Sequence, residues 1–340
     1  MRVARLYKAD DIRIEDDPMP AAGPGEAVVR TRACGICTGD IMGWYMERKA
    51  PLVFGHEPAG EIVEVGDGVR DFSVGDRVFV HHHAPCGDCH HCRRGHHVHC
   101  ATWRKTKLTP GGMAEYFLVA RENLANDTLR LPDSVDFDAG SLVEPAACVV
   151  KSLGRAAMVA GETLLVIGLG IMGQLHVALA KAAGHRVIAA DRVPFRIDKA
   201  RALGADVTVH VDEQDLVETV RDACDGRGAD AVVVGPGSIE AMETGILATG
   251  PGGRVVLFTT SQPHERLTVS PHDLYFDEIS IVPSYSCGPD DTRAALAAIA
   301  DGTIDCGELI THRYRLERVR DALETAGDVG RALKTVIEFG

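Results

Sequence analysis

The stretch Thr163-Leu-Leu-Val-Ile-Gly168-Leu-Gly170-Ile-Met-Gly173 decides the fold of the second half of the chain. A short β-prone run stands directly before a G-x-G-x-x-G pattern, and a helical pattern follows from Gly173 to Ala183. In this context the glycines permit a tight turn and a close approach of the backbone to a pyrophosphate at the helix N-terminus. The stretch therefore predicts the first βαβ unit of a dinucleotide-binding domain.

Strand and helix patterns continue to alternate after this unit. The predicted strands are Arg186–Ala190, Asp206–Val211, Ala231–Val234 and Gly253–Thr259, and the helices between them are Arg192–Leu203, Glu213–Ala223 and Ile239–Ala248. This alternation predicts an α/β fold with a parallel, doubly wound sheet. Ile279–Ser284 would add another strand, and Pro283 would confine its end to a sheet edge.

The candidate cofactor-binding residues follow from this arrangement. They lie in the glycine loop and after the next strand: Gly168, Gly170, Ile171, Met172, Gly173, Asp191, Arg192 and Arg196. Asp191 ends that strand, where a carboxylate accepts hydrogen bonds from the adenosine ribose and repels a 2′-phosphate. Arg192 and Arg196 could instead bind such a phosphate. The sequence favours NAD, with NADP as the alternative.

The first 120 or so residues show a different pattern, with short strands punctuated by glycine and proline. The predicted strands here are Ala27–Arg32, Gly60–Val65 and Arg77–Val80. They indicate a compact β-rich domain. The C-terminal tail adds a predicted helix at Asp290–Ala300 and an amphipathic stretch at Leu316–Glu324.

A cysteine quartet interrupts the β-rich part. Cys86, Cys89, Cys92 and Cys100 are spaced C-x2-C-x2-C-x7-C. Two-residue gaps let thiolates from tight turns converge on one zinc ion, which prefers a tetrahedron of soft donors. Four thiolates leave no position for a substrate, so this zinc would be structural. The neighbouring histidines, including the run 81–83, could bind more metal, but thiolates outcompete them for zinc.

Composition and charge exclude several classes of protein. The net charge of −13, without any Lys/Arg-rich run, argues against a surface for nucleic acid or anionic membranes. No apolar run approaches the roughly 18–20 residues that cross a bilayer, and no signal-like segment follows Met1. A length of 340 residues predicts two domains. Clustered cysteines suit metal binding in a reducing cytosol, so we expect a cytoplasmic protein.

Taken together, the motifs resemble the zinc-containing medium-chain dehydrogenase/reductase family along essentially the whole chain. They are Cys34-Gly-Ile-Cys37-Thr-Gly-Asp40, Gly55-His56-Glu57-Pro-Ala-Gly60, Val65-Gly-Asp-Gly-Val69, Phe72-Ser-Val-Gly-Asp-Arg-Val78, the cysteine quartet, Gly112-Met-Ala-Glu-Tyr116, Leu142-Val-Glu-Pro145 and the dinucleotide loop. The resemblance implies a GroES-like catalytic domain at 1–150 with a structural zinc lobe at about 84–101, a Rossmann domain at 151–288, and a return to the catalytic domain at 289–340. It also implies a homodimer or homotetramer.

The resemblance further implies a second, catalytic zinc, so we expect two zinc ions per chain. Cys37 and His56 would be two of its ligands. Glu144, in the Glu-Pro pair, occupies the place of the third ligand. An acid at this place resembles the pattern of the polyol (sorbitol-type) branch of the family. Glu57 would lie behind the metal and exchange with water as a ligand. Cys148, one helical turn after Glu144, is a competitor for the third place.

One departure from the family pattern concerns the proton relay. The family commonly has Ser or Thr two residues after the zinc cysteine, whereas this chain has Gly39 there and Thr38 one residue earlier. Either Thr38 substitutes, or the proton leaves through water or Glu57. The expected catalytic residues are therefore Cys37, Thr38, His56 and Glu57.

These expectations combine into a zinc-dependent oxidoreductase that transfers a hydride between NAD(H) and a secondary alcohol, with a polyol, sugar or cyclitol as the favoured substrate class. Zinc would lower the pKa of the substrate hydroxyl. The alternatives are a threonine-type amino-alcohol dehydrogenase, a biosynthetic ketone or aldehyde reductase, and a zinc-binding protein without catalysis. Three ligands around an open zinc position argue against the last of these.

Overall fold

The chain divides into two units in the computed structural model, which describes every residue from Met1 to Gly340. The first unit contains Met1–Ala147 and Cys287–Gly340, and the second contains Cys148–Ser286. The chain leaves the first unit once and returns to it, so residues far apart in sequence meet there. No helix has both the length and the apolar character needed to cross a membrane.

The N-terminal part of the first unit is rich in short strands, as its sequence pattern predicts. The strands are β1 (Arg2–Lys8), β2 (Asp11–Asp16), β3 (Ala27–Gly35), β4 (Leu52–Val53), β5 (Glu57–Val65), β6 (Arg77–Val80), β7 (Tyr116–Val119) and β8 (Thr128–Arg130). The helices are α1 (Gly43–Met46), α2 (Ala101–Lys105), α3 (Arg121–Asn126), α4 (Phe137–Gly140) and α5 (Val143–Ala156). Strands β1, β2 and β4 form a small separate sheet in the order β2-β1-β4.

The second unit alternates strands with helices, which confirms the predicted α/β class. Its elements are β9 (Thr163–Ile167), α6 (Ile171–Ala182), β10 (Arg186–Asp191), α7 (Pro194–Ala202), β11 (Val207–His210), α8 (Leu216–Ala223), β12 (Ala229–Val234), α9 (Ile239–Ala248), β13 (Thr249–Leu257), α10 (Pro271–Phe276) and β14 (Ser280–Pro283). The six strands are parallel, in the order β11-β10-β9-β12-β13-β14. The order reverses at β9, and such a switch point is where open α/β sheets bind ligands.

Strand β9 shows why this sheet can be recognised from the sequence. All five of its residues, Thr163–Ile167, are buried. A central strand of a parallel sheet is covered by helices on both faces, so its sequence reads as a continuous apolar run instead of an alternating one. Strand β14 lies at the sheet edge and ends at Pro283, where a proline costs no ladder hydrogen bond.

The C-terminal segment completes the main sheet of the first unit. Its elements are α11 (Pro289–Ala300), α12 (Cys306–Leu309), β15 (Ile310–Arg315), α13 (Val319–Gly327) and β16 (Lys334–Glu338). Strand β16 pairs antiparallel with β3, so that Val336 lies opposite Gly35. The main sheet runs β15-β16-β3-β5-β6-β8, with β7 also paired to β3. This pairing brings the end of the chain to the strand that precedes Cys37.

Candidate active site and metal centres

The cysteine quartet lies in a lobe made of short turns after β6. Two 3-10 turns, Cys92–Arg94 and His97–His99, are followed by α2. Gly95 closes the first turn with φ +71, a left-handed conformation that glycine adopts without strain. Trp103 is 3% exposed and packs against the cysteines, so that one side of the quartet is covered by an apolar side chain. The turns therefore bring four cysteines, 14 residues apart at most, to one point.

The sulfur positions suit a tetrahedral zinc. All four Sγ atoms lie within 4.8 Å of one another. The separations are 3.5 Å for Cys89–Cys92, 3.6 Å for Cys86–Cys100 and 3.9 Å for Cys86–Cys92. Zinc–sulfur bonds of about 2.3 Å require sulfur–sulfur edges of roughly 3.8 Å, whereas a disulfide would need about 2.05 Å. The donor set fits zinc and no position is left for a substrate.

Local hydrogen bonds prepare this quartet unequally for metal binding. Burial and the neighbouring thiols raise the pKa of Cys92 to about 12. Burial acts in the same direction on Cys100, but backbone N–H groups of Cys86 and Trp103 outweigh it and lower the pKa of Cys100 to about 6. Cys100 is therefore the more easily deprotonated of the two, whereas Cys92 would lose its proton only when a cation binds.

The second group of potential metal ligands is built around Cys37, just after β3. Cys37 caps a 3-10 turn, Thr38–Ile41, and its Sγ accepts a hydrogen bond from Gly39 N at 3.3 Å. The Cys37 N–H donates to Asp40 Oδ2 at 3.0 Å, which closes the turn from the other side. The possible ligand atoms of Cys37, His56 and Glu57 all lie within 4.8 Å of one another. The structure therefore brings together three of the predicted site residues.

Asp40 orients His56 in this group. The Asp40 carboxylate is 5% exposed, and its Oδ1 lies 3.5 Å from Nδ1 of His56. Burial disfavours the charged imidazole, but Asp40 and Cys37 together hold the pKa of His56 well above its usual value. A carboxylate on one ring nitrogen of a ligating histidine fixes the ring and leaves the other nitrogen for a metal. The ligand pattern in the sequence did not single out Asp40, although it completes the Cys37-Thr-Gly-Asp40 motif.

Glu57 is paired with a residue that no sequence motif places here. Lys334, on β16, donates to Glu57 Oε2 and also to the carbonyl of Ile36 at 3.0 Å. Burial opposes the charge on Lys334, but the Glu57 carboxylate holds the pKa of Lys334 above its usual value. Both side chains are 1% exposed. Gly35 makes room for them, because a Cβ there would lie 2.7 Å from Lys334 Cε.

Glu144 belongs to a neighbouring group. It lies near the start of α5, is 6% exposed, and has a carboxylate oxygen within 4.8 Å of ring nitrogens of His81 and His82. The imidazoles of His56 and His82 are 5.0 Å apart between centroids, so the two groups adjoin. The distances favour Glu57 over Glu144 as the third donor beside Cys37 and His56. Cys148, the competitor for that place, is half-buried on the same helix.

The residues named for the proton relay differ in exposure. Thr38 is exposed at the surface, whereas Glu57 is buried. Gly39 leaves open space around Cys37, since the nearest atom to a Cβ there would be Cys37 Sγ at 3.6 Å. Thr38 therefore has direct access to solvent, and Glu57 does not.

The glycine loop has the geometry that its sequence predicts. Gly168 follows β9 with φ +87, and Gly170 is the N-cap residue of α6. A Cβ at Gly173 would overlap the Gly168 carbonyl, so only glycine allows this close helix–strand approach. Ile171 and Met172 form the first turn of α6. The backbone N–H groups at this helix terminus are free to bind an anion such as a pyrophosphate, as is usual at a helix N-terminus.

Asp191 ends β10 beside this loop, as predicted. Its Oδ2 accepts a hydrogen bond from Leu169 N at 2.6 Å, and its Oδ1 accepts from Arg192 N at 2.7 Å and Val193 N at 2.9 Å. The carboxylate thus fixes the loop and still has one acceptor position. The Arg196 guanidinium approaches the same loop, 3.7 Å from where a Gly170 Cβ would lie. Burial lowers the pKa of Arg196, and Asp191 opposes that shift.

Comparison with known families and proteins agrees with this geometry. Residues 23–133 match the alcohol dehydrogenase GroES-like domain, and residues 172–301 match the zinc-binding dehydrogenase domain. The chain is 36% identical to an L-threonine 3-dehydrogenase of Pyrococcus abyssi over 98% of this chain and 97% of that protein. It is 31% identical to a sorbitol dehydrogenase of Bombyx mori over 98% of this chain and 97% of that protein.

Solved structures give the same result. A zinc-binding dehydrogenase of Sinorhizobium meliloti bound to NADP superposes with a TM-score of 0.89, at 28% identity and with 99% of each chain covered. An alcohol dehydrogenase of Escherichia coli in complex with NADH superposes with a TM-score of 0.90, at 27% identity, covering 100% of this chain and 99% of that one. The chain belongs to the zinc-containing medium-chain dehydrogenase/reductase family and is an NAD(P)-dependent alcohol dehydrogenase.

Proposed function

We propose that this enzyme oxidises a secondary hydroxyl of a polyol, sugar or cyclitol, with NAD as the hydride acceptor and two zinc ions per chain. The observation that carries the proposal is the convergence of Cys37, His56 and Glu57 within 4.8 Å. A thiolate, an imidazole and a carboxylate leave a fourth zinc position for a substrate oxygen. Similarity to sorbitol dehydrogenase supports a polyhydroxylated substrate.

Zinc at this position would supply Lewis acidity that lowers the pKa of the substrate hydroxyl, and NAD would accept the hydride. The protein contributes orientation and charge balance. Asp40 holds His56 through Nδ1, so that Nε2 is available to the ion. Lys334 offsets the negative charge that Glu57 brings into a buried region. Cys86, Cys89, Cys92 and Cys100 would hold the second zinc, which would stabilise the lobe.

The substrate hydroxyl must lose a proton, and we assign its exit to Thr38. The Thr38 hydroxyl belongs to the residue next to Cys37 and is exposed, so it can pass a proton to solvent. Glu57 is less suited to this role because its carboxylate is paired with Lys334 and removed from solvent. Ordered water remains the alternative carrier where Gly39 leaves space.

We propose NAD over NADP because Asp191 places a carboxylate at the end of β10. A 2′-phosphate there would meet a negative charge that is already fixed by three backbone N–H groups. Arg192 and Arg196 are the residues through which NADP could still bind. We also expect a homodimer or homotetramer in the cytoplasm, with the small-molecule alcohol as its partner.

A threonine-type amino-alcohol dehydrogenase is the second candidate, favoured by the 36% identity to an L-threonine 3-dehydrogenase. Such a substrate carries a carboxylate and would need a cation near the metal. Lys49 is the candidate. Its ammonium lies 3.6 Å from the centre of the Tyr45 ring on α1. Burial is the main cause that lowers the pKa of His82, and the charge of Lys49 adds to that shift. A polyol needs no such cation.

The first experiment is NAD⁺ reduction by the zinc-loaded enzyme with polyols, cyclitols, simple secondary alcohols and L-threonine. Turnover of a polyol or cyclitol at least tenfold above the others in kcat/KM is the expected result. Preference for L-threonine, lost in Lys49→Met, would establish the second candidate instead. The Cys37→Ser variant should be inactive on every substrate, while Cys306→Ser, a buried cysteine on another element, should match the wild type.

A further inference from the structure

A second cluster of potential metal ligands lies beside the proposed catalytic position, and of its members only Glu144 is expected at the catalytic zinc. His81 follows β6, Cys287 opens the C-terminal return, and Glu144 lies on α5. His81 and Cys287 are both 0% exposed, and Glu144 is 6% exposed. Polar and ionisable groups at such depth require partners that compensate for lost water.

Asp127 and Thr292 fix the orientation of the His81 ring. Its Nδ1 donates to Asp127 Oδ2 at 2.6 Å, and Thr292 Oγ1 donates to Asp127 Oδ1 at 2.6 Å. With one proton held on Nδ1 by this carboxylate, Nε2 would be the nitrogen that a cation could displace a proton from and bind. In zinc proteins, a carboxylate commonly accepts a hydrogen bond from the ring nitrogen of a histidine whose other nitrogen binds the metal.

The Nε2 side of His81 faces other donors. Cys287 Sγ lies 3.6 Å from Nε2, and a carboxylate oxygen of Glu144 lies within 4.8 Å of Cys287 Sγ. In a tetrahedral site, zinc bonds of about 2.0 Å to nitrogen and 2.3 Å to sulfur place the two ligand atoms roughly 3.6 Å apart. The observed separation is that of a direct hydrogen bond between the two groups, and it is also short enough for both atoms to bind one ion.

His82 offers a further nitrogen to the same cluster. One of its ring nitrogens lies within 4.8 Å of ligand atoms of His81 and Glu144, and its Nδ1 is buried without a hydrogen-bond partner. The neighbouring His83 differs, because its Nδ1 contacts the carbonyl of Thr106 at 2.7 Å. Of the three consecutive histidines, His82 is therefore the one with a buried nitrogen still to be satisfied.

Acidic side chains surround this cluster. The carboxylates of Asp40, Glu57, Asp127 and Glu144 are all buried, and the Lys334 ammonium is buried beside Glu57. Such a concentration of buried carboxylates favours a nearby cation.

We propose that His81, His82, Glu144 and Cys287 form a second divalent-cation position, suited to zinc, beside the proposed catalytic position. Two imidazoles, a carboxylate and a thiolate are a zinc-type donor set. With the cysteine quartet, the chain would then hold three zinc ions. The position goes beyond the proposed function, which needs only the Cys37 group and the quartet.

Zinc content of the full-length enzyme, saturated with zinc and then desalted, tests the proposal. Three zinc ions per chain are expected in the wild type, and two in both His81→Gln and Cys287→Ser, with Cys306→Ser still at three. Two zinc ions in the wild type, unchanged in His81→Gln and Cys287→Ser, would overturn it. Failure of the proposed function is a separate outcome, since it would appear as unchanged zinc content and turnover in Cys37→Ser.

A measurement on the unmodified protein covers the case in which these variants do not fold. In crystals grown with saturating zinc, anomalous scattering at the zinc edge should show a peak bounded by His81, Glu144 and Cys287. Peaks confined to the quartet and the Cys37 group would refute the second position.

Discussion

Lys334 and Glu57 form a buried ion pair across 277 residues of sequence. Each side chain is 1% exposed, and the ammonium also donates to the Ile36 carbonyl, next to Cys37. The pair therefore couples β16, at the end of the chain, to the strand that begins directly after His56. It brings the C-terminal return to the proposed metal site.

Lys334→Met should destabilise the enzyme by about 3 kcal/mol or more, because removing one partner leaves the other charge buried and unpaired. Urea unfolding followed by circular dichroism measures the change. The double variant Lys334→Met/Glu57→Gln removes both charges and should regain much of the lost stability without regaining activity. A single variant as stable as the wild type would show that Glu57 has another counter-charge.

Cys89→Ser should cost one zinc ion per chain and lower the melting temperature, while folded molecules keep near-normal kcat. The reason is that a zinc site with four sulfur ligands has no position for a substrate, so its loss should affect only the stability of the lobe. Zinc analysis, thermal unfolding and kcat per folded molecule are the measurements. Cys306→Ser controls for loss of a buried thiol. A Cys89→Ser protein that is fully folded but inactive would give the lobe a direct part in catalysis.

Much of the second unit could be predicted because its signals are local. The run Thr163–Ile167 and the glycines after it carry strand, turn and helix within eleven residues, and the predicted strand has the observed bounds. The helix predicted at Ile239–Ala248 likewise matches. The cysteine quartet is equally local, since its ligand spacing is fixed by turns.

The parts that could not be predicted depend on contacts between distant segments. Nothing in the sequence near Lys334 indicates a partner at Glu57, because β16 meets β3 only through sheet pairing. The third metal donor shows the same limit. Glu144 matches the family motif, but whether it or Glu57 stands beside Cys37 depends on how α5 packs, which spacing does not encode.

Asp191→Asn should raise KM for NAD about tenfold, which corresponds to about 1.4 kcal/mol. It should also reduce the ratio of kcat/KM for NAD to kcat/KM for NADP. The amide keeps part of the hydrogen bonding to the loop but removes the charge that repels a 2′-phosphate. Initial rates with both cofactors measure the effect. Asp206→Asn is the matched control, since Asp206 Oδ2 also accepts from a backbone N–H, that of Val187, at 2.7 Å, but away from the glycine loop. An unchanged cofactor preference would argue that Arg196 sets it.

We expect the enzyme to self-associate through the sheet edge formed by β14. Tyr275 and Phe276, on α10 directly before it, are 76% and 70% exposed. Unpaired edges and exposed aromatic side chains favour pairing with another chain. Light scattering should give a dimer or tetramer mass, and Phe276→Asp should reduce it. Val159→Asp, at another exposed apolar residue of the same unit, should not. A monomeric wild type would refute the prediction.

Acidification should weaken the second unit through His176. This side chain is 1% exposed on α6, with Nδ1 donating to the Met172 carbonyl at 2.7 Å and Nε2 accepting from Ser152 Oγ at 2.9 Å. Burial lowers the pKa of His176 to about 4, from the ordinary histidine value of 6.5. The unfolded chain therefore binds a proton that the folded one excludes between these values, so this stabilisation is complete above about pH 6.5 and is lost as the pH falls towards 4.

The loss attributable to His176 between pH 8 and pH 5 should be roughly 2 kcal/mol. His176→Gln cannot gain a proton, so its urea midpoint should fall less over this range than that of the wild type. His272→Gln, at a histidine whose side chain is 76% exposed on α10, should retain the wild-type dependence. Equal pH dependence in the wild type and His176→Gln would mean that the buried imidazole accepts a proton without unfolding, and that the Ser152 contact breaks instead.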